Sequence, residues 1–202
     1  MKINEILQEA YKIDSLNSTT SAFDNIVDDI NGNYTSPLQF EGQINQFYIY
    51  FCISSLDNTW NYILLKNKIR RDRDLSYKSI LGIVQLNPIR NLKGFEVEIS
   101  NLIPELQGRG IGRKLYNHII TRDGVTLISG AAQTPASQNL WMYFANHPEK
   151  YRVFLQDIKH PSDKKHIDYD FKQNSLHPEQ EEKLYSTHSE STTDWRMVCM
   201  KK

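Results

Sequence analysis

The stretch Leu106–Ile120, LQGRGIGRKLYNHII, restricts this chain more than any other. Glycine stands at alternate positions, Gly108, Gly110 and Gly112, directly ahead of an apolar run at helical spacing. Glycine enters left-handed backbone at no steric cost, so the stretch predicts a tight passage from a strand into a helix over about Gly110–Thr121. The amides at such a helix start have no carbonyl one turn back to bond, and they lie at the positive end of the helix dipole. Arg109, Arg113 and Lys114 add cationic side chains, which completes the parts of a phosphate site. The plainer reading is a tight turn alone, but a turn needs one such glycine and this loop has three beside a cationic helix start.

Two common phosphate loops do not fit the spacing. A P-loop closes on Gly-Lys-Ser/Thr, whereas Arg113-Lys114-Leu115 follows Gly112 here, and a dinucleotide fingerprint needs glycine where Arg113 stands.

The elements around the loop narrow the choice. Apolar positions at helical spacing (Ile3, Ile6, Leu7, Ala10, then Phe23, Ile26, Val27, Ile30) predict two short helices separated by the polar run Asn17–Ser21. Beyond Asn31-Gly32-Asn33 and Pro37 the texture turns β-branched and aromatic. Phe47–Ser54 and Trp60–Ile69 read as a hairpin around Leu56-Asp57-Asn58-Thr59. A third strand, Ser79–Leu86, is expected to stop at Asn87-Pro88, and a fourth, Phe95–Ile103, at Pro104, where a ladder donor is lost. After the loop helix come a strand at Val125–Ser129 and a helix opened by Thr134 as N-cap with Pro135 at its first position. Tyr151–Ile158 and Trp195–Met200 read as closing strands. Between them, His160–Thr193 is rich in His, Ser, Asp, Glu and Lys and reads as a long polar insertion.

Gln107-Gly108-Arg109-Gly110-Ile111-Gly112 matches the pattern Gln/Arg-x-x-Gly-x-Gly/Ala, and with the element order above it resembles the acyl-CoA loop of the GNAT superfamily of N-acyltransferases. The resemblance covers roughly Phe47–Ile158 and the last strand. It implies a single α+β domain over residues 1–202, with a mostly antiparallel central sheet and helices on both faces. It also implies acetyl-CoA as co-substrate and an amine as acceptor. Carried over by position, Gln107, Gly108, Arg109, Gly110, Ile111, Gly112 and Arg113 would hold the pyrophosphate. Leu102 and Ile103, on a strand that splays from its neighbour, would meet the pantetheine arm, and the Leu102 amide would polarise the thioester carbonyl.

Direct attack of an amine on a thioester needs a deprotonated amine, a polarised carbonyl and a protonated leaving thiolate. Glu96, Glu98 and Ser100 alternate onto one strand face opposite Val97 and Ile99. The resemblance puts the base at about Glu96 and Glu98 nearer the thioester; the other reading is the solvated face of a half-buried strand. The family's acid, a tyrosine directly after a leucine in the second helix, is absent, because Trp141 follows Leu140. Tyr143 and Ser137 are the substitutes within reach along the chain, and Trp141 reads as core. The sequence Thr134–Trp141 is similar to phage-type or otherwise divergent acyltransferases.

Composition bounds the remainder. The 202 residues carry 24 basic and 24 acidic side chains, so no global field draws the protein to nucleic acid or an anionic membrane. The longest apolar run, FYIYFCI, is far too short to span a bilayer, and the N-terminus lacks the pattern of a signal peptide, which predicts a cytoplasmic protein. Cys52 and Cys199 lie in strand-like runs and read as buried reduced thiols. The six histidines lack metal-ligand spacing. KNKIRRDR, Lys66–Arg73, reads as an exposed turn; contact with RNA, or with an aminoacyl-tRNA acceptor, is the less favoured reading. A binding module that keeps the loop without chemistry is the alternative from outside the enzymes.

Overall fold

Ala22, Ile26 and Ile30 recur every four residues and, with Phe23 beside them, are buried along one side of helix α1, which covers 21–31. The helix ends where Gly32 and Tyr34 turn their amides back to the carbonyls of Asp28 and Asp29, and Asn33 takes a left-handed φ of 59°. The structure is a computed structural model that describes residues 21–89, 92–130, 134–166, 169–170, 175–176, 180 and 195–202. The expected helix around Ile3–Ala10 and much of the 160–193 insertion lie outside the described residues.

Two compact units make up the described chain. One holds the residues up to Asn87 together with Glu98–Leu115, and the other Pro88–Val97 with Tyr116–Lys202. The class is mixed α+β with mostly antiparallel pairing.

In the first unit β1 (Gln39–Ile44), β2 (Phe47–Ile53), β3 (Trp60–Leu65), β4 (Ile80–Ile89, to Asn87) and the later part of β5 (Gly94–Leu102) lie side by side in sequence order. The predicted hairpin forms around Ser54–Thr59: Asn58 sits at φ 63°, and Asp57 Oδ1 accepts the Thr59 amide at 2.9 Å, which holds the Asp57 carboxyl below its ordinary range. β1 was not anticipated. Its sequence, QFEGQI, has neither alternation nor β-branched content until Ile44, and its pairing with β2 is fixed by a tight turn in which Asn45 takes φ 55°. Tyr50, Cys52, Ile63, Leu65 and Ile83 alternate onto the sheet face that meets the apolar side of α1. Asn87-Pro88 does not end β4, which runs on to Ile89. Its register with β3 already stops at Leu86, so no β3 carbonyl is waiting for the donor that Pro88 lacks.

Leu102 shows how the loop is seated. An added Cβ at Gly82 would lie 3.0 Å from the Asn101 carbonyl oxygen and collide with the Leu102 side chain, and one at Gly112 would lie 3.4 Å from Leu102 Cδ1. Two glycines thus leave room for one leucine. Because Leu102 alternates with Ile99 and Ile103, which pack toward α1, the start of helix α2 (Ile111–Arg122) lies on the opposite sheet face. Gly82→Ala is expected to cost about 1–3 kcal/mol, read as a lower urea midpoint at unchanged slope. An unchanged midpoint would show that Leu102 yields freely.

In the second unit the start of β5 pairs in parallel with β6 (Leu127–Ile128), and β11 (Trp195–Lys201) lies antiparallel between β6 and β7 (Tyr151–Asp157). β8 (Lys164–His166) extends β7, so the polar insertion begins as an added strand; β9 (Tyr169–Asp170) and β10 (Ser175–Leu176) form a small separate pair. Helix α3 (Pro135–Ala145) starts as its sequence predicts, with Thr134 Oγ1 accepting the Ser137 amide at 3.2 Å and Pro135 in the first turn. Trp141, Phe144, Tyr116 and Tyr151 form its aromatic core.

Both cysteines are free and fully buried, and burial pushes each thiol up to about 12. Raised folded values mean that the folded chain holds these protons longer than the unfolded one. The contribution is complete below about pH 9 and is lost as pH rises from there toward 12. Native protein at pH 8 is expected to leave both thiols unmodified by a thiol-exchange reagent until denaturant is added; fast modification without it would contradict the burial.

Candidate functional site

The loop is built by a short 3-10 turn, Pro104–Leu106, that starts with proline and hands the chain to Gln107. The Gln107 side chain reaches back and donates from Nε2 to the Leu102 carbonyl at 2.9 Å, tying the loop to the end of β5. Gly108 and Gly110 take φ of 72° and 73°, the left-handed backbone the sequence implied. Gly112 does not share it, and its role is the contact with Leu102. The first α-helical bond of α2 runs from the Lys114 amide to the Gly110 carbonyl at 3.1 Å, so the amides of Ile111 and Gly112 precede the closed ladder.

The space above Gly108 is empty: an added Cβ would meet nothing within 4 Å. Arg109 and Arg113 are exposed, and the Arg113 guanidinium lies over Gly110. Lys114 turns away from the loop and donates from Nζ to Asn45 Oδ1 at 2.7 Å, bracing the β1–β2 turn. Of the three cationic side chains near the glycines, two are therefore placed at the helix start and the third supports the scaffold.

Ile103 donates its amide to the Leu81 carbonyl on β4 at 2.9 Å. Backbone direction alternates along a strand, so the Leu102 amide faces the other edge of β5. On that edge the parallel partner β6 is registered only at Phe95 and Glu96; among the described residues, 97–102 have no strand there. An outward amide on an open strand edge can donate to a carbonyl oxygen of a ligand.

The two candidate bases differ. Glu98 is exposed, and its Oε2 accepts from Asn87 Nδ2 at 2.7 Å; Asn87 Oδ1 in turn accepts from the hydroxyl of buried Thr59 at 2.7 Å. In the second unit Glu96 Oε1 lies 3.4 Å from Nε of Arg196, whose side chain is only 7% exposed against 29% for Glu96. The same guanidinium also donates from Nη1 to the Trp195 carbonyl at 3.0 Å. Glu98 is thus met by a neutral amide, whereas Glu96 lies against the charged Arg196 guanidinium.

Ser137 is half-buried in the first turn of α3, where its amide is used by the Thr134 cap. Tyr143 is half-buried beside His147, whose ring centroid is 4.1 Å away and whose Nδ1 bonds the Tyr143 carbonyl at 2.7 Å. Trp141 is 1% exposed, as its reading as core required. His118 on α2 has a buried Nε2 with no partner among the described residues, and burial pulls its imidazole below the ordinary value. In KNKIRRDR, Ile69 is clamped by the Tyr50 hydroxyl and the Leu38 amide is held by Asp72, so the run is moored to the first unit as a structural turn. No single residue pattern announced Asn87; it read as the end of a strand.

No family model matches the chain, and no curated protein matches it. Among solved structures, the chain is similar to the crystal structure of nourseothricin acetyltransferase, at 11% identity over 83% of this chain and 86% of that one, with a TM-score of 0.35.

Proposed function

We propose that the protein is an acetyl-CoA-dependent N-acetyltransferase in which the loop Gln107–Arg113 holds the pyrophosphate. The observation that supports this reading is the pair of left-handed glycines at φ 72° and 73°, with open space above Gly108 and two exposed arginines at the helix start. The open edge of β5 then accepts the pantetheine arm past Leu102 and Ile103, and the Leu102 amide donates to the thioester carbonyl.

The amine nitrogen attacks the thioester carbon. It forms the new C–N bond while Glu98 takes the proton it sheds, and the C–S bond breaks as the tetrahedral centre collapses. The departing thiolate takes a proton from water. Glu98 is preferred over Glu96 because its carboxylate is exposed and, among the described residues, is engaged by a neutral amide. The replacement of the family's acid by the buried Trp141 favours one second reading, a CoA-binding module without turnover.

Among the described residues no helix is long and apolar enough to cross a membrane. Calorimetric titration with CoA, followed by an acetyl-transfer screen over polyamines, amino acids, peptides and tRNA, tests the proposal. CoA binding with turnover of one acceptor class supports the enzyme. Binding with no turnover supports the module, and absence of CoA binding overturns both.

A further inference from the structure

We propose that Asn87 is a positioning residue for Glu98, with its own orientation set by Thr59. The inference rests on the reading of Glu98 as the base. It is carried by a hydrogen-bond chain with only one polarity: the Thr59 hydroxyl donates to Asn87 Oδ1, and Asn87 Nδ2 donates to Glu98 Oε2, both at 2.7 Å. A carboxylate cannot donate, so the amide must face it with nitrogen, and the hydroxyl proton then has one acceptor.

The chain is anchored at depth. Thr59 is 3% exposed, its amide is held by Asp57 Oδ1 at 2.9 Å, and its carbonyl accepts from Asn61 Nδ2 at 3.3 Å, while Asn61 Oδ1 accepts from Gln85 Nε2 at 2.8 Å. A row of neutral polar side chains thus crosses from β3 through β4 toward β5 in the interior of the first unit and ends on one exposed carboxylate. Burial of such groups carries a cost that is offset only when each is satisfied, so the row fixes its last member in place. A surface glutamate with no further role would need no such support.

Among the described residues, the elements near Glu98 bring few charges. β3 (WNYILL) and β4 (ILGIVQLNPI) carry no charged residue; Asp57, ahead of β3, is occupied by the Thr59 amide; and Glu96, two residues back along β5, is paired with Arg196. Asn87 is therefore the group whose N–H meets the Glu98 carboxylate, and it does so from a fixed direction.

Carbon-13 NMR titration of the Glu98 side-chain carboxyl in the full-length protein tests this without any acceptor. Asn87→Ala should raise the Glu98 midpoint. Asn87→Asp, of the same shape but bearing a like charge, should raise it further, by on the order of one pH unit or more. Thr59→Val should move the midpoint in the same direction by less, and Thr59→Ser should restore it. With the primary amine that turns over in the screen, the acid limb of kcat/KM should move with the NMR midpoint while KM for acetyl-CoA stays put. Should Asn87→Asp fail to fold, the Thr59 pair carries the test. An unmoved midpoint in the folded variants overturns the inference and leaves the base reading standing; a Glu98→Gln enzyme as fast as the parent overturns the base reading itself.

Discussion

Glu98→Gln is expected to slow acetyl transfer at neutral pH by about a hundredfold or more, the usual size of general-base catalysis. Glutamine keeps the shape and the hydrogen bond from Asn87 but cannot take a proton. The acceptor must then arrive as free amine, a small fraction near pH 7, so the lost rate should return as pH rises toward the amine's own pKa. CoA affinity should be unchanged, since Glu98 lies on β5 ahead of the loop proposed to hold the pyrophosphate. Glu96→Gln should behave oppositely. Its oxygen can still accept from Arg196, but a guanidinium only 7% exposed loses its counter-charge, so the expected loss is stability, about 1–2 kcal/mol, with turnover close to the parent. Rates measured from pH 6 to 10 with thermal midpoints on the same samples separate the two. If Glu96→Gln takes the hundredfold loss and Glu98→Gln none, the roles are reversed; if neither variant nor the double variant slows, β5 presents only a solvated face.

The different partners of the two carboxylates were not legible in the chain. Alternation put Glu96 and Glu98 on one strand face, and the fold keeps them on one strand, but the partner of Glu96 lies a hundred positions away on β11. No local pattern reports such a pairing. Asn87 failed for a different reason: ahead of proline it reads as punctuation, yet β4 continues through it to Ile89 and its side chain reaches Glu98. Local signals fared better. The hairpin turn, the Thr134 cap, the apolar side of α1 over Phe23–Ile30 and the strand-to-helix glycines all rest on interactions within a few residues, where spacing determines geometry. β1 is the local miss, since its strand character comes from pairing with β2 rather than from its own composition.

Gly110→Glu is expected to weaken CoA binding by about a hundredfold, near 2.7 kcal/mol, in a protein that still folds. Two effects add. A side chain at φ 73° strains the backbone by roughly 1–2 kcal/mol, which the loop can relieve only by turning its amides off the ligand. A carboxylate there also meets the Arg113 guanidinium, which would lie 3.4 Å from an added Cβ, and neutralises the charge meant for phosphate while adding one of its own. Gly110→Ala carries the strain without the charge and should lose about tenfold. Gly108→Ala, at φ 72° with nothing near its Cβ, isolates the strain, while Gly112→Ala, in helical backbone against Leu102, should bind CoA almost as the parent does. Salt should narrow the gap between the Glu and Ala variants, because only the charge term is screened. Calorimetry with CoA at two ionic strengths distinguishes these cases. A folded Gly110→Glu protein that binds CoA as tightly as the parent would remove the loop from the site and leave its glycines as nothing more than a turn.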